Sequence, residues 1–156
     1  MKTCADGKLK ICMLGQKRVP GGEGGVEVVV EELSVRMVEK GHEVTCYNRS
    51  GRHLDRKIKE YKGICLKTVP TIDFKGIAAM TSSISGAIIA MFHPFDVIHF
   101  HAEGPAFMCW LPKMFGKKVC VTIHGLDHQR AKWGFIARTY IMLGEKSAVH
   151  FADEII

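Results

Sequence analysis

The sequence predicts an α/β domain built on a doubly wound parallel sheet, and two observations predict it. Short apolar, β-prone runs alternate with longer segments of helical periodicity, which is the pattern of successive βα units. The first of those runs leads into a glycine-rich loop and then a strongly amphipathic helix, as a parallel sheet does at its first crossover. At 156 residues the chain fits one domain of ordinary size with room for a core. It shows no internal repeat, low-complexity segment or linker.

The elements follow in order. Residues 9–14 form the first strand, and Gly21-Gly22-Glu23-Gly24-Gly25 makes the loop after it. The first helix sets Val26, Val29, Val30, Leu33, Met37 and Val38 at helical spacing, with Glu31, Glu32, Arg36 and Glu39 elsewhere. Gly41 stops it in the position of a left-handed C-cap. Residues 43–47 form the second strand, and 49–62 read as a polar loop or short exposed helix. A third strand at 64–69 is closed by Pro70, and a helix runs through 76–92. The fourth strand is 97–100, a helix covers roughly 105–115, and the fifth strand is 118–123. The last helix spans about 135–150. The final Ala152-Asp153-Glu154-Ile155-Ile156 reads as the opening of a sixth strand, so the expectation is a chain truncated there.

Composition narrows the function classes. Hydrophobic residues at 47% and charged residues at 24% describe a globular chain, neither disordered nor fibrous. The formal charge of +6 favours anionic partners, whether nucleotide phosphates, nucleic acid or acidic lipid. Basic residues are scattered apart from Lys17-Arg18, the 52–62 stretch and Lys117-Lys118, so no nucleic-acid partner is expected. Of the six cysteines, Cys12, Cys46, Cys65 and Cys120 sit in apolar, β-prone runs and no Cys-x-x-Cys pair occurs. Buried, reduced thiols in a cytoplasmic protein follow. Residues 1–10 lack an apolar signal core. The uncharged stretch 76–92 falls short of the ~20 residues of a spanning helix and carries Thr81, Ser82, Ser83 and Ser85, which suits a buried helix.

The glycine loop is an anion site in outline, since glycines let the backbone approach and helix N-terminal amides point outward. A dinucleotide site needs Gly-x-Gly-x-x-Gly directly after the strand. Gly22 and Gly24 match its first two places, but Glu27 fills the third and the loop from Gly15 to Glu23 is too long. Asn48 and Arg49 stand where a ribose-binding carboxylate belongs, and no Gly-Lys-Ser/Thr occurs. A phosphate-binding loop of neither type, or a plain surface loop, remains.

Among eight histidines, His99 and His101 alternate along the fourth strand and share a face. His124 follows the fifth strand and His128 comes four residues later. Ligands of open α/β sheets sit beyond the carboxyl ends of strands, which puts His101 and His124 where chemistry would occur. No carboxylate or cysteine completes a metal set with His99, His101, His124 and His128, so no metal is expected. His99 reads as a hydrogen-bonded core residue and His42, beside Gly41, as structural.

Gly24-Gly25-Val26-Glu27, Glu32-Leu33 and Gly41-His42-Glu43-Val44 together resemble the start of family 4 glycosyltransferases of the GT-B fold. Asp96-Val97-Ile98-His99-Phe100-His101 resembles that family's fourth strand. Thr122-Ile123-His124-Gly125-Leu126-Asp127, followed by Arg130-Ala131-Lys132-Trp133-Gly134, is similar to its fifth strand and the loop beyond. The last block is closest to bacterial members that build surface polysaccharides, rhamnosyltransferases among them.

The resemblance implies the Rossmann-like, acceptor-side N-terminal domain of a two-domain enzyme, spanning 1–156. A C-terminal domain, missing here, would hold a nucleoside-diphosphate sugar through a glutamate-containing motif, leaving this chain alone inactive. It implies retaining sugar transfer to a glycan or lipid-linked acceptor without a bound metal or cofactor. Gly24 and Gly25 would face the donor diphosphate, His124 would be the catalytic residue at the transferred sugar, and His101, Asp127, Arg130 and Lys132 would form the acceptor side. His128 departs from the family pattern. Arg130 and Lys132 suit an anionic acceptor or a solvated loop. The 52–62 stretch suits an ordinary exposed face or a peripheral contact with an acidic membrane at its inner face. The alternative function is a stand-alone nucleotide-binding module without transferase activity.

Overall fold

The computed structural model describes residues 7–21, 24–51, 58–74, 77–125 and 134–156. Among the described residues, seven strands form one sheet: β1 (Lys10–Leu14), β2 (Glu43–Arg49), β3 (Glu60–Tyr61), β4 (Ile64–Val69), β5 (Val97–His101), β6 (Lys118–Thr122) and β7 (Glu154–Ile155). Their order is β3-β4-β2-β1-β5-β6-β7. All neighbours are parallel except β3 with β4. The helices are α1 (Gly25–Glu39), α2 (Ala78–Phe92), α3 (Glu103–Ala106), α4 (Trp110–Met114) and α5 (Phe135–Phe151).

Alternation along the strands builds two cores from one sheet. Ile11 and Met13 of β1 join Val44 and Cys46 of β2 beneath Val30 of α1. The intervening Cys12 and Leu14 face the other way, with Tyr47, Ile98 and Phe100, beneath Ala87 and Ala90 of α2. Among the described residues, 24 buried apolar positions are shared between the two faces, as strands covered on both sides require.

The helix ends follow the sequence. Gly41 adopts φ +90, its N–H donates to the Val38 carbonyl (2.8 Å) and the His42 N–H donates to that of Met37 (3.1 Å). That pair of bonds is a Schellman cap, so the expected stop is where it belongs. Along α1, however, Val29 is exposed, and the inward face carries Ser34 instead, beside the Cys46 thiol at 3.5 Å.

Three further expectations are corrected. The 49–62 segment is not loop throughout, because β2 runs on to Arg49 and Glu60–Tyr61 pairs antiparallel with β4. The hairpin turn is Lys62-Gly63, both at positive φ (47 and 78), the two-residue geometry that suits the twist of paired strands. The helix expected over 105–115 is two short ones, α3 and α4. Pro112 has no N–H to give and crowds the carbonyl four residues back, so one continuous helix does not form. Cys65 is exposed on the outer β4, where half the residues face solvent, whereas Cys12 and Cys46 are buried; all described cysteines are free thiols. The 76–92 stretch contains α2, of 15 residues. Among the described residues no helix is long and apolar enough to cross a membrane.

Candidate active site

The sheet reverses its order at β1, with β2 on one side and β5 on the other. The two chains leaving the carboxyl ends of β1 and β5 part there, which opens the crevice where ligands of such sheets sit. What stands at that crevice is decided by Gly15. It takes φ +110 and lies so close to the His101 carbonyl that a Cβ on residue 15 would overlap that oxygen. Only glycine permits that approach.

Polar groups converge around this contact. Arg49, at the end of β2, donates from Nη2 to the Gly15 carbonyl at 2.8 Å. Burial draws its guanidinium down from its usual value, with the Glu27 carboxylate opposing. The Gln16 amide donates to the Met13 and Tyr47 carbonyls at 3.3 and 3.1 Å. Asn48 clasps Val19 in both directions, accepting from its N–H (2.9 Å) and donating to its carbonyl (2.8 Å). Tyr140 of α5 reaches in from the other side, its ring 5.3 Å from that of Phe107 and beside Gly104. Burial pushes its phenol up to about 12, against the pull of the Arg49 charge. The Tyr140 hydroxyl and Arg49 Nε have no hydrogen-bond partner among the described residues, although both atoms are buried. Such atoms are the ones a ligand would satisfy.

α1 begins at the same edge. Gly24 is its N-cap in extended conformation (φ −156, ψ 159), with no side-chain cap. Gly25 is its first helical residue and has open space around it. The first intrahelical bond runs from the Val28 N–H to the Gly24 carbonyl at 3.1 Å, so the amides before it point out of the helix end. Glu27 turns its carboxylate to the Lys17 N–H, at 2.9 Å.

The histidines form a row. His99 and His101 lie on one face of β5 with rings stacked at 4.1 Å and 30°. His99 Nε2 is 2.7 Å from the Thr122 hydroxyl of β6, the hydrogen-bonded core role expected of it. His101 Nδ1 is 3.2 Å from His124 Nε2, with ring centroids 5.4 Å apart. Burial lowers His99 to about 4 and His101 to about 2, and neighbouring imidazoles add to the effect, so both rings are neutral at physiological pH. His101 is wholly buried, while His124, just past β6, is partly exposed and forms the outer end of the row. His42 is structural, its Nδ1 accepting the Leu9 N–H at 3.2 Å.

The structure thus brings His101, His124, Gly24 and Gly25 to one edge of the sheet. Asp127, Arg130 and Lys132, together with His128, lie outside the described residues. Among the described residues there is no group of three or more His, Cys, Asp or Glu side chains that could hold a metal ion. Sequence reasoning missed Gly15 and Tyr140. Nothing local marks Tyr140, but a glycine ending an apolar strand at Leu14 is a signal that could have found Gly15. Asn48 and Arg49 were noticed only as wrong for a ribose carboxylate; each turns out to tie the β1 loop to the end of β2.

A family comparison decides which lineage this edge belongs to, since residues 23–156 match the family model described as Glycosyltransferase Family 4. The chain belongs to glycosyltransferase family 4. Its fold is that of the Rossmann-like N-terminal domain of GT-B enzymes, as the resemblance implied. Sucrose-phosphate synthase from Thermosynechococcus elongatus superposes with a TM-score of 0.64 at 16% identity, covering 95% of this chain and 42% of that one. HepE from Anabaena, solved in complex with UDP and glucose, superposes with a TM-score of 0.61 at 13% identity, covering 94% and 37%. The family 4 chain therefore spans less than half the length of either. No curated protein sequence matches it significantly.

Proposed function

We propose that this family 4 chain is the acceptor-side half of a glycosyltransferase that moves a sugar from a nucleoside diphosphate to a glycan or lipid-linked acceptor, with retention of configuration. The observation that carries the reading is the convergence at one crevice of the α1 amino end, the Gly15–His101 contact and His124. Departure of a nucleoside diphosphate develops negative charge, and helix-end amides stabilise such charge. In this reading Gly24 and Gly25 let the diphosphate approach α1, and His124 meets the transferred sugar. The Tyr140 hydroxyl and Arg49 Nε supply the unmet hydrogen-bonding capacity for the acceptor, beside His101, Asp127, Arg130 and Lys132. A second domain supplies most of the donor grip. HepE, a neighbour in fold, was solved with UDP and glucose, which makes UDP the first nucleotide to try. The net charge of +6 suits an acceptor presented at an acidic membrane surface, approached from the cytoplasmic side.

A dinucleotide-binding module is disfavoured by Asn48, whose side chain is committed to Val19 on both its donor and its acceptor. Amide NMR of the chain during titration with UDP, UDP-glucose and NAD tests the reading. UDP should move the Gly24, Gly25 and Val26 amides selectively, and UDP-glucose should add shifts around His124. His124→Ala should weaken UDP-glucose about 3- to 10-fold, the worth of one hydrogen bond, and leave UDP alone unchanged. Saturable shifts with NAD and none with any nucleoside diphosphate or its sugar would overturn the assignment.

A further inference from the structure

Arg49 and Tyr140 lie 91 residues apart in the chain, and close approaches at three glycines bring them to the same side of the crevice. Arg49 Nη2 holds the Gly15 carbonyl at 2.8 Å, and Gly15 lies against the His101 carbonyl. Three residues past His101, a Cβ on Gly104 would stand 3.2 Å from the Tyr140 ring. Gly144, one turn beyond Tyr140 on α5, comes so close to the Glu103 carbonyl that a Cβ there would overlap it. The missing side chains let the β1 turn, α3 and α5 close on one another, and the Tyr140 ring is seated against that of Phe107, at 5.3 Å.

The two polar tips at this junction are donors without acceptors. Arg49 Nε and the Tyr140 hydroxyl are buried atoms with no hydrogen-bond partner among the described residues. A guanidinium only donates, and it keeps its charge even where burial draws it down. The phenol, pushed up to about 12, keeps its proton and can donate too. Two unmet donors, one of them on a permanent cation, favour an oxygen of negative charge over a neutral hydroxyl. Glu27 does not fill that place. Its carboxylate supports the Arg49 charge, but its Oε1 accepts the Lys17 N–H at 2.9 Å, and Nε is still left unmet. The remainder of each side chain is part-exposed, so a group entering the crevice meets both.

We propose that Arg49 and Tyr140 form an anion subsite, so that the acceptor is one that carries a carboxylate or a phosphate group. Its anionic oxygen takes the Arg49 Nε–H and the Tyr140 O–H, and the amino end of α1 is left to the donor diphosphate. Naming the occupant as the acceptor rests on the proposed transfer reaction, whereas the subsite itself does not. An acidic sugar and a phosphate-linked lipid headgroup offer this same chemistry.

Three sugars with one kind of ring separate these cases: methyl glucuronide for the acidic sugar, glucose 1-phosphate for the phosphate-linked headgroup, and methyl glucoside as the neutral control. NMR of the chain follows the Arg49 Nε–H and Tyr140 ring signals during each titration. At least one of the two anions should move both signals saturably, and the tighter one names the source. Methyl glucoside should leave both in place. Tyr140→Phe deletes one oxygen and should weaken the anion about 3- to 10-fold, while UDP shifts at Gly24 and Gly25 stay as they are. Arg49→Gln keeps an N–H for the Gly15 carbonyl but removes the charge, and should abolish the preference for the anion. Should Arg49→Gln not fold, Tyr140→Phe carries the test by itself. Silence of both signals towards both anions would overturn the proposal. So would an equal response to methyl glucoside, or an unchanged anion affinity in Tyr140→Phe. UDP shifts at α1 without anion binding here would sink the subsite and spare the transferase reading, and anion binding without UDP shifts would do the reverse.

Discussion

Two chain turns leave the carboxyl edge of the sheet side by side, and they meet the same crowding in opposite ways. After β1 the chain turns at Gly15, whose φ of +110 and missing Cβ let it lie against the His101 carbonyl. After β5 it turns at Ala102, which holds φ 78 and ψ 155, a region nearly reserved for glycine. That alanine is kept there by its N–H, which donates to the Thr122 carbonyl at 2.9 Å, and by the buried Glu103 that follows. The first turn avoids strain by composition, while the second keeps it because the surrounding contacts over-determine the backbone. Gly24 and Gly25 belong to neither case. Neither takes a positive φ, and the space around Gly25 is open. The glycine that shapes the crevice is the isolated one; of the conspicuous pair, Gly25 is permissive and Gly24 is crowded by the Glu27 side chain alone.

That comparison breaks most visibly at residue 15. Gly15→Ala should cost about 4 kcal/mol or more, a strained φ added to an overlap with backbone that cannot give. A domain with a total stability of about 5–15 kcal/mol would be left marginal or unfolded. Gly25→Ala should instead stabilise α1 by about 0.5–1 kcal/mol. Urea denaturation of both variants checks the contrast, and similar midpoints would show that Gly15 is not the constraint.

Acid should act on the β5 side of the edge. His99 and His101 have folded values of about 4 and about 2, below the ordinary 6.5. The unfolded chain therefore binds protons that the folded one refuses, and the stability present above pH 6.5 is lost as pH falls, towards 4 for His99 and towards 2 for His101. Between pH 7 and pH 5 the loss should reach about 2 kcal/mol for each histidine. Denaturation curves at the two pH values would show it, and His101→Phe should remove part of the difference.

The smallest effect is expected at residue 102. Ala102→Gly relieves a strain of about 1–3 kcal/mol, against a gain of up to about 1 kcal/mol in unfolded-chain freedom. The net should be neutral to stabilising by about 1 kcal/mol, read as a raised urea midpoint. A clear loss of stability would mean that the Ala102 methyl group packs more usefully than its backbone is strained.

Much of the fold was legible because its signals are local. The short apolar runs at 9–14, 64–69 and 97–100, the 3.6-residue pattern of α1 and the glycine stop at 41 lie within a few residues of the structure they specify. Where local signals competed, the reading slipped. Apolar residues around Pro112 suggested one helix until proline chemistry divided it, and Lys62-Gly63 turned a polar stretch into a hairpin. For the site, the order of strands brought out His101 and His124, because ligands gather past carboxyl ends. Tyr140 was invisible, since its nearness to Arg49 joins residues 91 positions apart, from a helix and a strand with no shared pattern.

The sequence by itself determined the alternation of strands and helices, the family and the edge at which ligands would be sought. The alternation and the edge follow from residue type and spacing along the chain, and the family from the resemblance of its motifs. Only the tertiary structure decided that Gly15 rather than Gly24 lets the backbones meet, that Asn48 is committed to Val19, and that His101 backs His124 instead of facing outward. Those are contacts between residues 23 to 86 positions apart, and they exist only once the sheet has set its strands in order.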